Sequence, residues 1–254
     1  MSLLNTESKI KFHKAVITNK EKIAAHTYHL RIQGEGIKNL DYTPGMHMKV
    51  RVGMGSDASQ YDKVRSYSIW DYDSDKGTLD VAVCTHSEGL GTKWIETVEP
   101  GTDFYFFLKK TLIADDSADN YFFIGDISTL GHFYSVNRSL SKGKKIFSFI
   151  YGNDESDLFA DLDGTKPFDF YVRPADKVSP APIDFLQEKI CAVFAGQSPE
   201  NGRTNNEQHN YIVYLGGDAR VCAALPPYFM QKFGLKPEQI KMKSFWNPYK
   251  VRED

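Results

Sequence analysis

Four consecutive residues, Arg65-Ser66-Tyr67-Ser68, carry chemistry suited to a ligand with both a diphosphate and a flat ring. They lie in VRSYSIWDY, a stretch with strand character, so alternation puts Arg65 and Tyr67 on one face and Ser66 and Ser68 on the other. A guanidinium fork grips phosphate oxygens, a phenol stacks on an aromatic ring, and Ser68 can bond a ring edge through its hydroxyl or its amide. Taken alone, four such common residues fit a surface arginine beside a half-buried tyrosine better than any site. A second segment changes that balance. Gly89-Leu90-Gly91-Thr92 opens the short helical stretch TKWIETV, where glycines permit close backbone approach and Thr92 is placed to cap the helix. An uncompensated helix start attracts an anion, so an arginine on one strand and this helix start can grip one diphosphate from two sides.

The elements that must position these groups change rhythm along the chain. In HMKVRV, Met48, Val50 and Val52 alternate with His47, Lys49 and Arg51, the period of a half-buried strand, and Pro44-Gly45 marks a turn before it. VRSYSIWDY and TLDVAVCTH repeat the pattern around the turn residues DSDKG. Short strands with one short helix predict a small antiparallel barrel. From NYFFIGD onward, continuously apolar strands alternate with helices: ISTLGHFYSVNRSL, KKIFSFIYGN, ESDLFADL as a short helix, FDFYVRP, IDFLQEKICAVFAG, HNYIVYLGGD, then ARVCAALPPYFMQKFG as a helix disturbed by Pro226-Pro227, and KMKSFW as a closing strand. That order predicts an α/β domain with a parallel sheet. The polar stretch LIADDSADN is the seam, giving a β-barrel domain over 8–115 and an α/β domain over 116–254, and NGRTNNEQH is a polar loop within the second.

These residues together resemble the siderophore-interacting proteins, flavin-dependent ferric-siderophore reductases of the ferredoxin–NADP⁺ reductase superfamily. The matching positions are Pro44-Gly45-Met46-His47, Arg65-x-Tyr67-Ser68, Leu79-Asp80, Val83 through His86, Gly89-Leu90-Gly91-Thr92-Lys93-Trp94 and Pro100-Gly101. In the second half they are Gly125-Asp126-Ile127-Ser128-Thr129-Leu130 and Ser244-Phe245-Trp246. The likeness is dense in the first half and thin between 135 and 210. It implies that Arg65 binds the FAD diphosphate, Tyr67 packs on the isoalloxazine and Ser68 contacts its redox-active nitrogen, with Ser66 alongside. It further implies that Gly89, Gly91, Thr92 and Lys93 complete the diphosphate site, that Val83 and His86 line the flavin, and that Trp246 approaches from the nicotinamide side. NADPH or NADH as electron source and a ferric siderophore as substrate follow from the same likeness. A reductase serving ferredoxin and a non-enzymatic flavin-binding module are its rivals.

The departures lie in the second half. The family's Gly-Asp-Glu-Thr is here Gly-Asp-Ile-Ser-Thr, and no Gly-rich dinucleotide fingerprint occurs. GDISTLGH offers a helix start to a phosphate, but Asp126 would repel it. Arg173, Arg220 and Lys144-Lys145 are partners for a 2′-phosphate on chemical grounds only, with solvated surface charge the plainer reading. No catalytic acid or base is nominated.

Composition bounds the rest. At 254 residues, with 41% hydrophobic and 25% charged residues, the chain is globular and suits one large or two modest domains. Counts of 31 basic and 33 acidic residues leave −2, so no basic field recruits nucleic acid or an anionic membrane. No apolar run is long enough to span a bilayer, and the first residues lack a signal-peptide core, which predicts a cytoplasmic protein; a monomer is expected. Cys84, Cys191 and Cys222 form no C-x-x-C pair and read as buried, reduced thiols. His26 and His29 lack a carboxylate or thiolate partner in sequence, alternation sets His47 opposite the methionines, and no metal site is expected. His132 reads as a helix-surface or core residue. The basic C-terminal stretch, Lys241, Lys243, Lys250 and Arg252, suits either an anionic substrate or a solvated strand edge.

Overall fold

The computed structural model describes residues 12–52, 64–85, 89–174, 179–196 and 210–249. Six antiparallel strands close into a barrel: β1 (His13–Ala24), β2 (Thr27–Gln33), β3 (Met46–Arg51), β4 (Val64–Asp73), β5 (Thr78–Cys84) and β6 (Asp103–Lys110). They run in the order β1-β2-β5-β4-β3-β6, and β6 pairs back onto β1. Inward positions such as Ile17, Leu30, Met48, Val50, Ile69, Val81 and Phe106 fill the interior, as their alternation requires. A short helix, α1 (Leu90–Thr97), adds Ile95 to this core.

Beyond β6, five parallel strands form the second sheet in the order β11-β10-β7-β8-β9. They are β7 (Asn120–Asp126), β8 (Lys145–Gly152), β9 (Phe170–Val172), β10 (Tyr211–Asp218) and β11 (Ile240–Trp246). The helices are α2 (Leu130–Ser139), α3 (Ile183–Ala195) and α4 (Ala219–Phe233). Both faces of the sheet are covered, which is why its strands read as unbroken apolar runs. Tyr121 and Phe123 of β7 face α2 and the barrel's Trp70 and Ala82, while Phe122 and Ile124 face α3 and α4. The expected β-barrel followed by an α/β domain with a parallel sheet is thus present.

Local differences have physical reasons. ESDLFADL makes only one 3-10 turn, at Glu155–Asp157, because Asp154 caps it and the chain leaves the helix at Leu158. FDFYVRP contributes a three-residue strand on the sheet edge. Pro226 and Pro227 do not break α4, since Val221, Leu225 and Phe229 are buried at four-residue spacing and hold one continuous helix against the sheet. Of the three free thiols only Cys222 is buried; Cys84 and Cys191 are intermediate. The polar segment NGRTNNEQH lies outside the described residues.

The barrel and the sheet are tied by polar contacts. Arg138 of α2 reaches Asp161, the Trp70 carbonyl at 2.6 Å and Asp71 at 2.9 Å, and the Trp70 indole donates to Asp161 at 2.8 Å. His26 meets Asp157 at 2.7 Å, and Tyr42 meets Ser135 at 3.0 Å. Gly131 lets α2 lie on β4 and β5, because a Cβ there would stand 2.9 Å from the Ala82 Cβ.

Candidate functional site

The Pro44-Gly45 turn sets the start of β3 against the connector between the two sheets. Gly45 has φ of +88°, and a Cβ on it would overlap the Leu112 carbonyl; Ala114 N–H donates to the Pro44 carbonyl at 2.9 Å. Met46 and Met48 then enter the barrel core, and His47 turns to the outer side, where the α/β domain covers it to 2% exposure. In register, His47 pairs with Ser68 of β4, which pairs with Ala82 of β5. Ser68 is 3% exposed and borders the junction of the two sheets.

On β4, Tyr67 sits opposite Met48 and packs against the barrel core. Its ring stacks on Trp94 of α1, with centroids 5.8 Å apart and an interplanar angle of 23°. Gly91, in the first turn of α1, accommodates this: a Cβ there would stand 2.8 Å from Tyr67 Oη and 3.8 Å from Arg65 Cγ. Arg65, Tyr67, Gly91 and Trp94 are therefore brought together. Burial pushes the Tyr67 phenol above its ordinary range, and the Arg65 charge pulls the other way. The N-cap of α1 is Gly89 rather than Thr92, and no side chain caps the helix. Thr92 lies inside the first turn, where its N–H donates to the Gly89 carbonyl at 3.0 Å and that of Lys93 at 3.2 Å, so the expected threonine cap is not what starts the helix.

The remaining expected residues divide. Ser66 is half-buried opposite Lys49, and Lys93 is exposed on α1. Val83 is 1% exposed within the barrel core, away from the outer face that carries Ser68 and Ala82. His86 lies outside the described residues. Asp80, part of the matched Leu79-Asp80, is a buried anchor for the barrel, bonded to His29 at 2.6 Å and Arg31 at 2.8 Å.

Sequence reasoning set aside two residues that the fold makes prominent. His47 Nδ1 meets Thr111 Oγ1 at 2.9 Å, and its Nε2 is buried with no partner among the described residues. His132, fully buried on α2, approaches the Leu112 carbonyl through Nε2 at 3.4 Å, and its Nδ1 is likewise unpartnered. Burial holds both imidazoles neutral: His47 is pulled down to about 3, helped by Lys243, Lys49, His132 and Lys109, and His132 to about 4, with Lys243 adding to the effect. Lys243 is itself lowered, by burial and by Lys49. The only signal in the sequence was His47 within the Pro-Gly-Met-His turn. His132 gave none, because no local pattern joins it to β3, and Lys243 stood out only as one charge of the basic C-terminal stretch.

At the C-terminal edge of the parallel sheet, β7 and β10 are adjacent strands whose following helices cover opposite faces, the place where open sheets bind ligands. Each strand ends in a buried aspartate. Asp126 accepts from Ser128 N–H at 2.9 Å and from the Trp246 indole at 2.7 Å. Asp218 caps α4 by accepting from Arg220 N–H at 2.8 Å and binds the Arg220 guanidinium at 2.7 Å. Gly217, at φ of +90°, leaves room for the Asp126 carboxylate. Trp246 thus sits over the sheet edge with the Arg220 guanidinium 5.8 Å from its ring centre. Arg220 is committed to Asp218, Lys144 to the Asp116 and Ala118 carbonyls, and Arg173 to the Phe185 ring at 4.4 Å. Among the described residues, no group of three or more His, Cys, Asp or Glu side chains is placed to hold a metal ion.

The arrangement fits a flavin dinucleotide on the barrel side. Ser68 Oγ and Tyr67 Oη are buried polar atoms without partners, and Gly91 leaves a backbone cradle beside Arg65. Residues 14–106 match the family model of the oxidoreductase FAD-binding domain. A search of curated proteins found no matching sequence. Among solved structures, a siderophore-interacting protein from Aeromonas hydrophila superposes with a TM-score of 0.70 at 12% identity, over 94% of this chain and 99% of its own. One from Acinetobacter baumannii gives 0.75 at 12% identity, over 96% and 93%. Ferredoxin–NADP⁺ reductase from Plasmodium falciparum gives 0.63 at 14% identity, over 91% and 95%. Residues 14–106 thus match an oxidoreductase FAD-binding domain, and the chain has the two-domain fold of the siderophore-interacting proteins and ferredoxin–NADP⁺ reductase it superposes on.

Proposed function

We propose that this protein is an FAD-dependent reductase that takes electrons from NADPH or NADH and passes them singly to ferric iron held by a siderophore. In this reading residues 8–115 bind the flavin and 116–254 receive the nicotinamide nucleotide. Bound FAD would supply the conversion between a two-electron donor and one-electron acceptors. The chain's own residues have simpler tasks. Arg65 and the first turn of α1 hold the diphosphate, Ser68 bonds the ring edge, and the junction of the two sheets keeps bulk water from it.

The observation that carries the substrate assignment is the electrostatics around His47. Lys49, Lys109 and Lys243 come from three strands, β3, β6 and β11, and all three act on this one buried imidazole. Positive charge converging where the flavin edge would lie suits an anionic ferric chelate. Lys241 contributes less, being paired with Asp115 at 2.8 Å, and Lys250 and Arg252 lie outside the described residues. Iron then leaves because hard oxygen ligands hold Fe(III) far better than the less charged Fe(II).

The test is anaerobic stopped-flow oxidation of the reduced, FAD-loaded protein by a panel of ferric siderophores and by ferredoxin. Rapid oxidation by a siderophore supports the assignment. An unchanged flavin with every siderophore, together with rapid oxidation by ferredoxin, would replace it with the redox-protein reading. Failure of both NADPH and NADH to bleach the flavin would favour a non-enzymatic flavin module.

A further inference from the structure

We infer that Lys20 is a positioning residue for the flavin diphosphate: from β1 it holds the C-terminal end of α1 and thereby aims the opposite end at the phosphates. The inference rests on the reading proposed above, in which Arg65 and the first turn of α1 grip the diphosphate.

The contact begins with a bulge in β1. Ile17 pairs with Ile32 and Lys20 with Leu30, and both partners are buried in the barrel core. Two residues three apart share one face of a strand only when an extra residue intervenes, and the register shift between Ile17 and Asn19 supplies it at Thr18. Lys20 therefore takes the face on which unbroken alternation from Ile17 would have set Asn19. Its side chain is 12% exposed, and its ammonium donates to the Glu96 carbonyl at 3.0 Å and the Val98 carbonyl at 2.9 Å. The same strand receives the chain as it leaves the helix: Gly101 N–H donates to the Ile17 carbonyl at 2.8 Å, and Ile17 N–H to the Thr102 carbonyl at 3.0 Å.

Helix α1 needs this support. Its eight residues span roughly 12 Å, a length at which an isolated helix is marginal in water. It has no basic residue in its own last turn. Thr97 Oγ1 lies 2.9 Å from the Lys93 carbonyl and 3.2 Å from that of Trp94, which also accepts from Val98 N–H at 2.8 Å. Among these donors Lys20 alone comes from another element and carries a charge. A cation at a helix C-terminus complements the macrodipole, and its hold on one end of a two-turn helix fixes the direction of the other. That other end is where Gly91 stands beside Arg65. Glu99, 3.8 Å from the ammonium, is exposed and screened by water, so it does not draw the charge away from the carbonyls.

The experiment titrates the full-length apoprotein with FAD and with riboflavin, which carries the ring but no phosphate. Wild type is compared with Lys20→Met, Lys20→Gln and Lys20→Arg. Methionine keeps the apolar stem without the charge, and glutamine provides a second neutral side chain that retains a donor. Both neutral variants should weaken FAD about tenfold, within the range of a well-placed cation at a helix end, and leave riboflavin unaffected. Lys20→Arg should recover most of the FAD affinity. Amide hydrogen exchange over residues 90–98 should quicken in the neutral variants, while β4 and β5 keep their protection. Wild-type FAD affinity in a neutral variant would overturn the inference, because the contact then does not reach the phosphates. Equal losses of FAD and riboflavin would overturn it too, reducing Lys20 to general support of the barrel. Absence of FAD binding in wild type is a different failure: it defeats the flavin reading itself, and the role of Lys20 falls with it.

Discussion

Gly91 and Tyr67 are in direct apposition: a methyl group on the glycine would stand 2.8 Å from the tyrosine hydroxyl. Glycine at this position lets helix α1 sit against β4 with Tyr67 undisplaced and stacked on Trp94. Gly91→Ala should push Tyr67 aside and deform the cradle next to Arg65. An overpacking cost of about 1–3 kcal/mol is expected in chemical denaturation, with a weaker FAD complex measured by flavin fluorescence titration.

Arg65→Ala should weaken FAD binding by roughly 1.5–3 kcal/mol, the range for a hydrogen bond to a charged group. Its side chain lies on the Gly91 side of β4, so the fold itself should survive. Equilibrium titration of the apoprotein with FAD checks this, and unchanged affinity removes Arg65 from the site.

Trp246→Ala should leave FAD bound but change the rate of bleaching by NADPH or NADH. The indole donates to Asp126 at 2.7 Å, at the C-terminal edge of the parallel sheet. Rapid mixing with each nucleotide measures the change, and loss of FAD from the variant would contradict this placement.

Acid should destabilise the protein through its two neutral imidazoles. Burial depresses His47 to about 3 and His132 to about 4, both below the ordinary histidine value of 6.5. Between these limits the unfolded chain binds protons that the folded chain refuses. The contribution is therefore complete above pH 6.5 and is lost as pH falls towards 3–4, with a limiting slope of about 1.4 kcal/mol per pH unit for each ring. Denaturation midpoints of wild type and His47→Gln between pH 4.5 and 7.5 check this: the variant should show the shallower dependence.

Removing the clamp between the two sheets should cost more than an ordinary surface change. Arg138→Ala leaves Asp161, 5% exposed, with only the Trp70 indole and main-chain donors. A loss of about 1.5–3 kcal/mol is expected, because Arg138 makes charge-assisted bonds to Asp161, to Asp71 and to the Trp70 carbonyl. Thermal unfolding that separates into two transitions would show that the barrel and the sheet had lost their coupling.

Much of the architecture was legible because burial imposes a local period. HMKVRV alternates because one set of side chains fills the barrel, and NYFFIGD is unbroken because both of its faces are covered. The strand β1 was not marked in this way: its burial runs intermediate or exposed over most of its length, so polar residues fill both faces. The prolines of α4 misled for a related reason, since their local cost is outweighed by the buried stripe of Val221, Leu225 and Phe229.

By itself the amino-acid order determined the two rhythms, the strand holding Arg65 through Ser68, and the glycines that open α1. Tertiary structure alone decided that His47 lies opposite Ser68, that Thr111 meets its Nδ1, and that Lys243 and His132 come near enough to lower its pKa. Periodicity states which face a side chain takes. Its neighbour on that face is set by the register of a closed barrel and by where a distant sheet packs, and neither quantity is written in any local stretch of the chain.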